Sequence, residues 1–142
     1  MSSHVLVPLD DSELSYRALE HAVDEHAGAD VTLLHVVDPM EVVYEAEKGG
    51  PTLAEEWFET AESAAESMFD RARERVGETD CELRTELVVG KPEREIVDYV
   101  DQEDVDHVVM GSHGRSGLDR LLLGSVAETV VRRVRVPVTV VR

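Results

Sequence analysis

The chain has 142 residues, of which 31 are acidic and 14 are basic, giving a formal net charge of −17. This excess of carboxylates repels phosphate backbones and anionic lipids, so nucleic acids and membrane surfaces are poor partners. The single cysteine, Cys81, excludes an intramolecular disulfide and a Cys/His zinc framework. The first residues lack the pattern of a secretion signal, and no apolar run is long enough for a membrane span, so we expect a cytoplasmic location.

The basic residues are also unevenly divided, because only Lys48 and Lys91 are lysines and the remainder are arginines. An excess of carboxylates with few lysines is typical of proteins kept soluble in concentrated salt, which screens charges beyond about 3 Å at 1 M. We therefore expect a halophilic, KCl-rich cytoplasm. The length predicts a single domain spanning residues 1–142.

The first half of the chain alternates between strand and helix patterns. Residues 4–9 form an apolar run that predicts a strand, and Asp10, Asp11 and Ser12 after it suit a turn and a helix cap. The helix that follows is predicted to end near Gly28. Residues 30–38 predict a strand buried on both faces. Residues 39–50 predict a loop.

The second half continues the alternation. A long amphipathic helix is predicted from Pro51 to Gly77, with Trp57 and Phe69 expected in the core. The remaining patterns predict strands at residues 81–89, 105–111 and 136–142, with helices starting at Pro92 and at Ser125. Pro137 confines the last strand to an edge of the sheet, or its start to an unpaired position.

This alternation predicts an α/β fold with a doubly wound, five-stranded parallel sheet and helices on both faces, of the Rossmann-like type. Ligands of such sheets bind beyond the carboxyl ends of the strands, where the strand order reverses. The predicted carboxyl ends lie at residues 9–12, at residues 36–38 and from Gly111 onward.

The stretch GSHGRSGLDRLLLGS, residues 111–125, holds four of the nine glycines and begins where the fourth strand ends. Glycines at 111, 114 and 117 remove β-carbons at a turn, which lets backbone amides approach a phosphate. Arg115 is a bidentate phosphate donor. As an alternative, Leu118, Leu121 and Leu122 extend one helix through residue 130, and the glycines only mark turns.

The end of this stretch predicts a helix start. Ser125 and Glu128 match the S-x-x-E pattern of a capping box. Gly124, directly before them, would let an anion reach the first amides and the positive end of the helix dipole. The stretch is therefore interpreted as a phosphate-binding loop followed by a helix N-terminus.

The same stretch carries a resemblance to the universal stress protein family, in its nucleotide-binding subgroup. The family's loop, G-x2-G-x9-G-(S/T), is matched completely by Gly111, Gly114, Gly124 and Ser125. The resemblance extends to VPLDDS, LLHVVD, GKPEREI, DHVVMGSHG and VPVTVVR, and so covers nearly the whole chain. Residue 11 departs from the family pattern, since it is Asp where the family often has Gly, and an added carboxylate there would weaken ATP binding at low salt.

The resemblance implies an ATP-binding domain with the phosphates on the loop amides and on the start of the last helix. Adenine would lie near Val36 and the turn after the first strand, with Asp10 facing the base or sugar. Mg²⁺ or Mn²⁺ would be carried on the phosphates rather than held by a protein cage. The implied binding residues are Pro8, Leu9, Asp10, Val36, Met110, Gly111, His113, Gly114, Arg115, Gly124, Ser125 and Val126.

Three functions fit this scaffold: an ATP-binding regulatory protein in the stress response, a slow ATPase or phosphotransferase, and a nucleotide-independent dimeric adaptor. Catalysis would need a base near the γ-phosphate, for which Asp10, Asp11 and His113 are the candidates. We favour binding, with at most slow hydrolysis or autophosphorylation. A receiver-type phosphorelay domain is excluded, because the third strand is followed by no acceptor Asp and the last strand by no Lys.

The last strand also predicts an interaction. Residues 136–142 are apolar and form a sheet edge that must be covered. Pairing with a second copy about a two-fold axis would cover it, and the family resemblance implies such a homodimer.

Overall fold

The computed structural model describes residues 3–40, 54–113 and 123–142. The elements within these ranges are β1 (His4–Pro8), α1 (Glu13–Glu25), β2 (Asp30–Val37), α2 (Ala54–Val76), β3 (Glu82–Val89), α3 (Pro92–Gln102), β4 (His107–Gly111), α4 (Ser125–Arg133) and β5 (Val138–Val141). Most of the predicted 39–50 loop and the start of the helix predicted from Pro51 lie outside these ranges. No described helix combines the length and the apolar character that crossing a membrane requires.

The five strands form one parallel sheet in the order β3-β2-β1-β4-β5. The chain winds from β1 outward to β3 and then returns to β4 and β5 on the other side of β1. The strand order therefore reverses between β1 and β4, which is where such sheets bind ligands. The predicted doubly wound α/β fold is confirmed.

Each face of the sheet is covered by two helices. The side chains of β1 alternate between the faces, so Val5 and Val7 pack with α1 and α2, whereas Leu6 packs with α3 and α4. The two cores are completed by buried residues such as Leu19 and Phe69 on the first face and Ile96 and Val130 on the second. Burial on both faces explains the nearly continuous apolar runs of the central strands.

Trp57 corrects one prediction. Phe69 is buried in the core as expected, but Trp57 is only half-buried and Phe58 beside it is exposed. With 23 residues, α2 is about 35 Å long, whereas the 8 residues of β2 span about 26 Å. The buried part of α2 begins at Ala65, so the regular spacing of apolar residues continues beyond the part of the helix that packs on the sheet.

The last strand lies at an edge of the sheet, as Pro137 predicts. Pro137 immediately precedes β5, and its carbonyl accepts a hydrogen bond of 3.0 Å from the Val108 amide. Its missing N–H therefore costs no hydrogen bond within β5.

Candidate functional site

A cavity of about 520 Å³ opens at the carboxyl ends of β1, β2 and β4. It lies where the strand order reverses, between the turn after β1 and the starts of α3 and α4. Its apolar walls come from Leu34 and Val36 on β2, Ile96 on α3 and Met110 on β4, together with Val126 on α4. The cavity thus combines apolar walls with the N-terminal ends of two helices.

The turn after β1 forms one wall of the cavity. Leu9 continues the line of β1 by donating its amide to the Leu34 carbonyl at 2.8 Å. The carboxylate of Asp10 accepts hydrogen bonds from the amide of Ser12, at 3.0 Å, and from the Ser12 hydroxyl. Ser12 is the N-cap of α1, and its hydroxyl oxygen accepts the Ser15 amide at 3.2 Å. Asp10 therefore fixes the turn and at the same time borders the cavity.

His35 on β2 borders the cavity next to this turn. Its Nδ1 donates a hydrogen bond of 2.7 Å to the Leu9 carbonyl. This carbonyl fixes the tautomer that carries the proton on Nδ1. The sequence did not indicate that His35 borders the cavity.

The N-terminus of α4 also borders the cavity. Gly124 has extended backbone, with φ −75° and ψ 171°, and α4 begins at Ser125 as predicted. A single helix running through residue 124 is therefore excluded. The first amides of a helix have no partner within it, and no described side chain caps those of α4.

The predicted capping box is wrong, because Gly124 and not Ser125 occupies the N-cap position. The Gly124 amide itself donates to the Ser112 carbonyl at 2.6 Å. The amides that α4 leaves for an anion are consequently those of Ser125, Val126 and Ala127.

Two of the loop glycines allow close contacts between segments. A Cβ on Gly111 would lie 2.9 Å from the Leu14 Cβ, so this glycine lets α1 approach β4. A Cβ on Gly124 would lie 3.2 Å from the Cα of His113, so this glycine brings the start of α4 against the end of β4. Both glycines serve packing at the rim of the cavity.

The structure brings together the predicted binding residues that it describes. Those bordering the cavity are Pro8, Leu9, Asp10, Val36, Met110, Gly111, His113, Gly124, Ser125 and Val126. Gly114 and Arg115 lie outside the described residues. The lining residues that sequence reasoning missed include Ser15 and Ile96, although each lies about one turn into a helix whose start was predicted at this end of the sheet.

Asp11 does not border the cavity, contrary to the expectation that it adds a carboxylate beside the nucleotide. Its backbone has φ 69°, and its carboxylate accepts hydrogen bonds from the Tyr16 hydroxyl and from Arg71 on α2. These partners hold it on the side of the turn that faces α2. No described cluster of three or more His, Cys, Asp or Glu side chains is arranged to hold a metal ion.

The comparisons with known proteins agree with this geometry. The family model described as "Universal stress protein family" matches residues 1–142. The chain belongs to the universal stress protein family. Universal stress protein MJ0531 of Methanocaldococcus jannaschii is 33% identical over 140 residues, which cover 97% of this chain and 81% of that protein.

Solved structures of universal stress proteins and similar chains share the fold. MJ0577 of the same organism superposes with a TM-score of 0.82 at 33% identity, covering 99% of this chain and 96% of that chain. A universal stress protein in complex with cAMP superposes with a TM-score of 0.64 at 29% identity, covering 99% of this chain and 97% of that chain. That relative binds an adenine nucleotide.

Proposed function

We propose that this universal stress protein binds ATP in the cavity above β1, β2 and β4, and that it acts as a regulatory protein of the stress response. The observation that carries the proposal is the arrangement of the cavity: its apolar walls lead to a helix N-terminus whose first amides no described side chain caps. A planar base suits the apolar walls, and phosphates suit the amides and the dipole of α4.

Individual residues fit this assignment. Val36, Met110 and Ile96 would contact the base, and Asp10 would face the base or the sugar. Ser125 and Val126 would hold phosphates through their amides, with Gly114 and Arg115 as the further phosphate ligands that the family motif implies. Mg²⁺ or Mn²⁺ would accompany the phosphates.

Binding is proposed rather than rapid turnover. A general base needs a carboxylate or imidazole free to accept a proton near the reacting water. One carboxylate oxygen of Asp10 is already engaged by the amide and hydroxyl of Ser12. Its hydrogen bonds support a structural role in the turn, so any hydrolysis would be slow.

The experiment is a calorimetric titration of Mg-ATP into nucleotide-stripped protein in molar KCl, with cAMP titrated in parallel. We expect saturable binding of one ATP per chain. Tighter binding of cAMP would reassign the ligand within the same cavity. No binding of either nucleotide, in protein shown to be folded by circular dichroism, would contradict the proposal and favour the nucleotide-independent adaptor.

We also propose that the protein is a homodimer formed through residues 136–142, and that it works in a halophilic cytoplasm. The dimer is supported by the edge position of β5. The salt-rich setting is supported by the net charge of −17, whose self-repulsion is relieved by screening.

A further inference from the structure

The turn between β1 and α1 contains a residue in the left-handed region of backbone conformation. Asp11 has φ 69°, lying between Asp10, which borders the cavity, and Ser12, which caps α1. A residue with a β-carbon adopts this conformation at a cost in conformational energy. It stays there when contacts with its surroundings offset that cost. The contacts that keep Asp11 in this conformation therefore also fix the positions of Asp10 and Ser12.

Among the described residues, the side chains of Tyr16 and Arg71 hold the Asp11 carboxylate. The hydroxyl of Tyr16, at the end of the first turn of α1, donates to Oδ1, and Arg71 on α2 donates to the same oxygen at 3.0 Å. Tyr16 is only 7% exposed, whereas the Asp11 side chain that accepts its hydrogen bond is 44% exposed. The Arg71 side chain is 51% exposed, so its ion pair is the weaker contact. We call these three residues the Asp11 clamp.

Tyr16 remains the donor over the physiological range. Burial raises the pKa of its hydroxyl, and the hydrogen bond to Asp11 raises it further. A protonated hydroxyl beside a carboxylate makes a charge-assisted hydrogen bond, which is stronger than one between neutral groups.

We propose that Tyr16 and Arg71 are positioning residues for nucleotide binding. By holding Asp11 in its left-handed conformation, they keep Asp10 and Ser12 in the arrangement that forms one wall of the cavity. This inference rests on the proposed function. Neither residue borders the cavity itself, so their effect on the ligand passes through the turn.

The test compares ATP affinity among variants of the clamp. We expect Tyr16→Phe to weaken binding about tenfold and Arg71→Gln about threefold, in the order of the strengths of their contacts. The matched control is Arg75→Gln. Arg75 also joins α2 to α1 and lies over the Tyr16 ring, but its ion pairs are with Glu13 and Glu20 and not with the turn. The Arg75→Gln variant should bind ATP with the same affinity as the unaltered protein.

A rescue variant separates positioning from general damage. Glycine adopts φ near 69° without a clamp, so Asp11→Gly should bind ATP within about twofold of the unaltered protein. In that background, Tyr16→Phe and Arg71→Gln should cause no further loss. Equal losses in both backgrounds, or no loss in either, would overturn the inference.

Amide hydrogen exchange of the nucleotide-free proteins provides a second readout. The Ser12 and Ser15 amides are bonded within the turn, so Tyr16→Phe should raise their exchange rates while leaving those of β2 unchanged. If these rates do not change, the clamp does not order the turn and the inference fails even where ATP binds. If the unaltered protein binds no ATP but the rates rise, the clamp exists and it is the proposed function that fails.

Discussion

Gly111 stands at the end of β4, where α1 passes close to the sheet. A Cβ at this position would lie 2.9 Å from the Cβ of Leu14 and 3.3 Å from its carbonyl carbon. We predict that Gly111→Ala lowers the free energy of unfolding by about 2 kcal/mol, because backbone and packed side chain must move apart. Urea denaturation measures the loss. Gly124→Ala, whose nearest contact is 3.2 Å, should lose less than half as much, and equal stability of Gly111→Ala and the unaltered protein would contradict the packing role.

His107 makes the free energy of unfolding depend on pH. Burial first, and electrostatic repulsion from His26 and His21 second, lower the pKa of His107 in the folded state. The unfolded chain therefore takes up a proton first as the pH falls below about 6.5, and the free energy of unfolding decreases there. The His107 Nε2 is hydrogen-bonded to the Thr139 hydroxyl at 2.7 Å, so His107→Gln is the matched uncharged variant. Urea denaturation between about pH 7.5 and about pH 5 should show a flatter profile for His107→Gln, and parallel profiles would rule out His107 as the source.

The sequence predicts which residues form the site, but it does not predict where their side chains point. Asp10 and Asp11 are adjacent acids after the same strand. Only the fold shows that Asp10 borders the cavity while Asp11 faces Arg71, a residue 60 positions away. The amide of Gly124 likewise has a partner, the Ser112 carbonyl, that no local pattern specifies.

At the scale of elements, hydrophobic periodicity was sufficient to predict the strands and helices, because each buries one or both faces. Trp57 shows the limit of this reasoning. Periodicity marks the apolar face of α2, but it does not show how far along the helix the sheet extends. The start of α4 was placed correctly from its Gly-Ser junction, whereas its N-cap was misplaced by one residue.

The exposed N-terminus of α4 allows stability and binding to be changed in opposite directions. Ser125→Asp places a carboxylate at the positive end of the helix dipole, so the nucleotide-free protein should gain about 0.5 kcal/mol in free energy of unfolding. The same carboxylate would repel phosphates and weaken ATP binding roughly tenfold. Ser125→Asn is the uncharged control of nearly equal size. Denaturation and calorimetry measure the two effects, and equal ATP affinities for Ser125→Asp and Ser125→Asn would remove this helix end from the phosphate site.

At the scale of the whole molecule, alternating elements and handedness predict the parallel sheet, but only the structure shows which strands adjoin. Its order leaves β5 at an edge with its four residues half-buried. We predict that sedimentation in molar KCl at micromolar concentration gives the mass of a dimer, because pairing of two β5 edges would satisfy backbone groups that pair with no other described strand. A monomer mass under these conditions would contradict the proposed interface.

The most direct measurement of the central claim compares the affinities of ATP and adenosine for the nucleotide-stripped protein. Because the base is proposed to lie against the apolar walls and the phosphates on the α4 amides, removing the phosphates should lower the affinity at least about tenfold. A large ratio in favour of ATP is the predicted result. Equal affinities would mean that the phosphates do not contact the loop and the helix N-terminus, and would contradict the proposed ATP site.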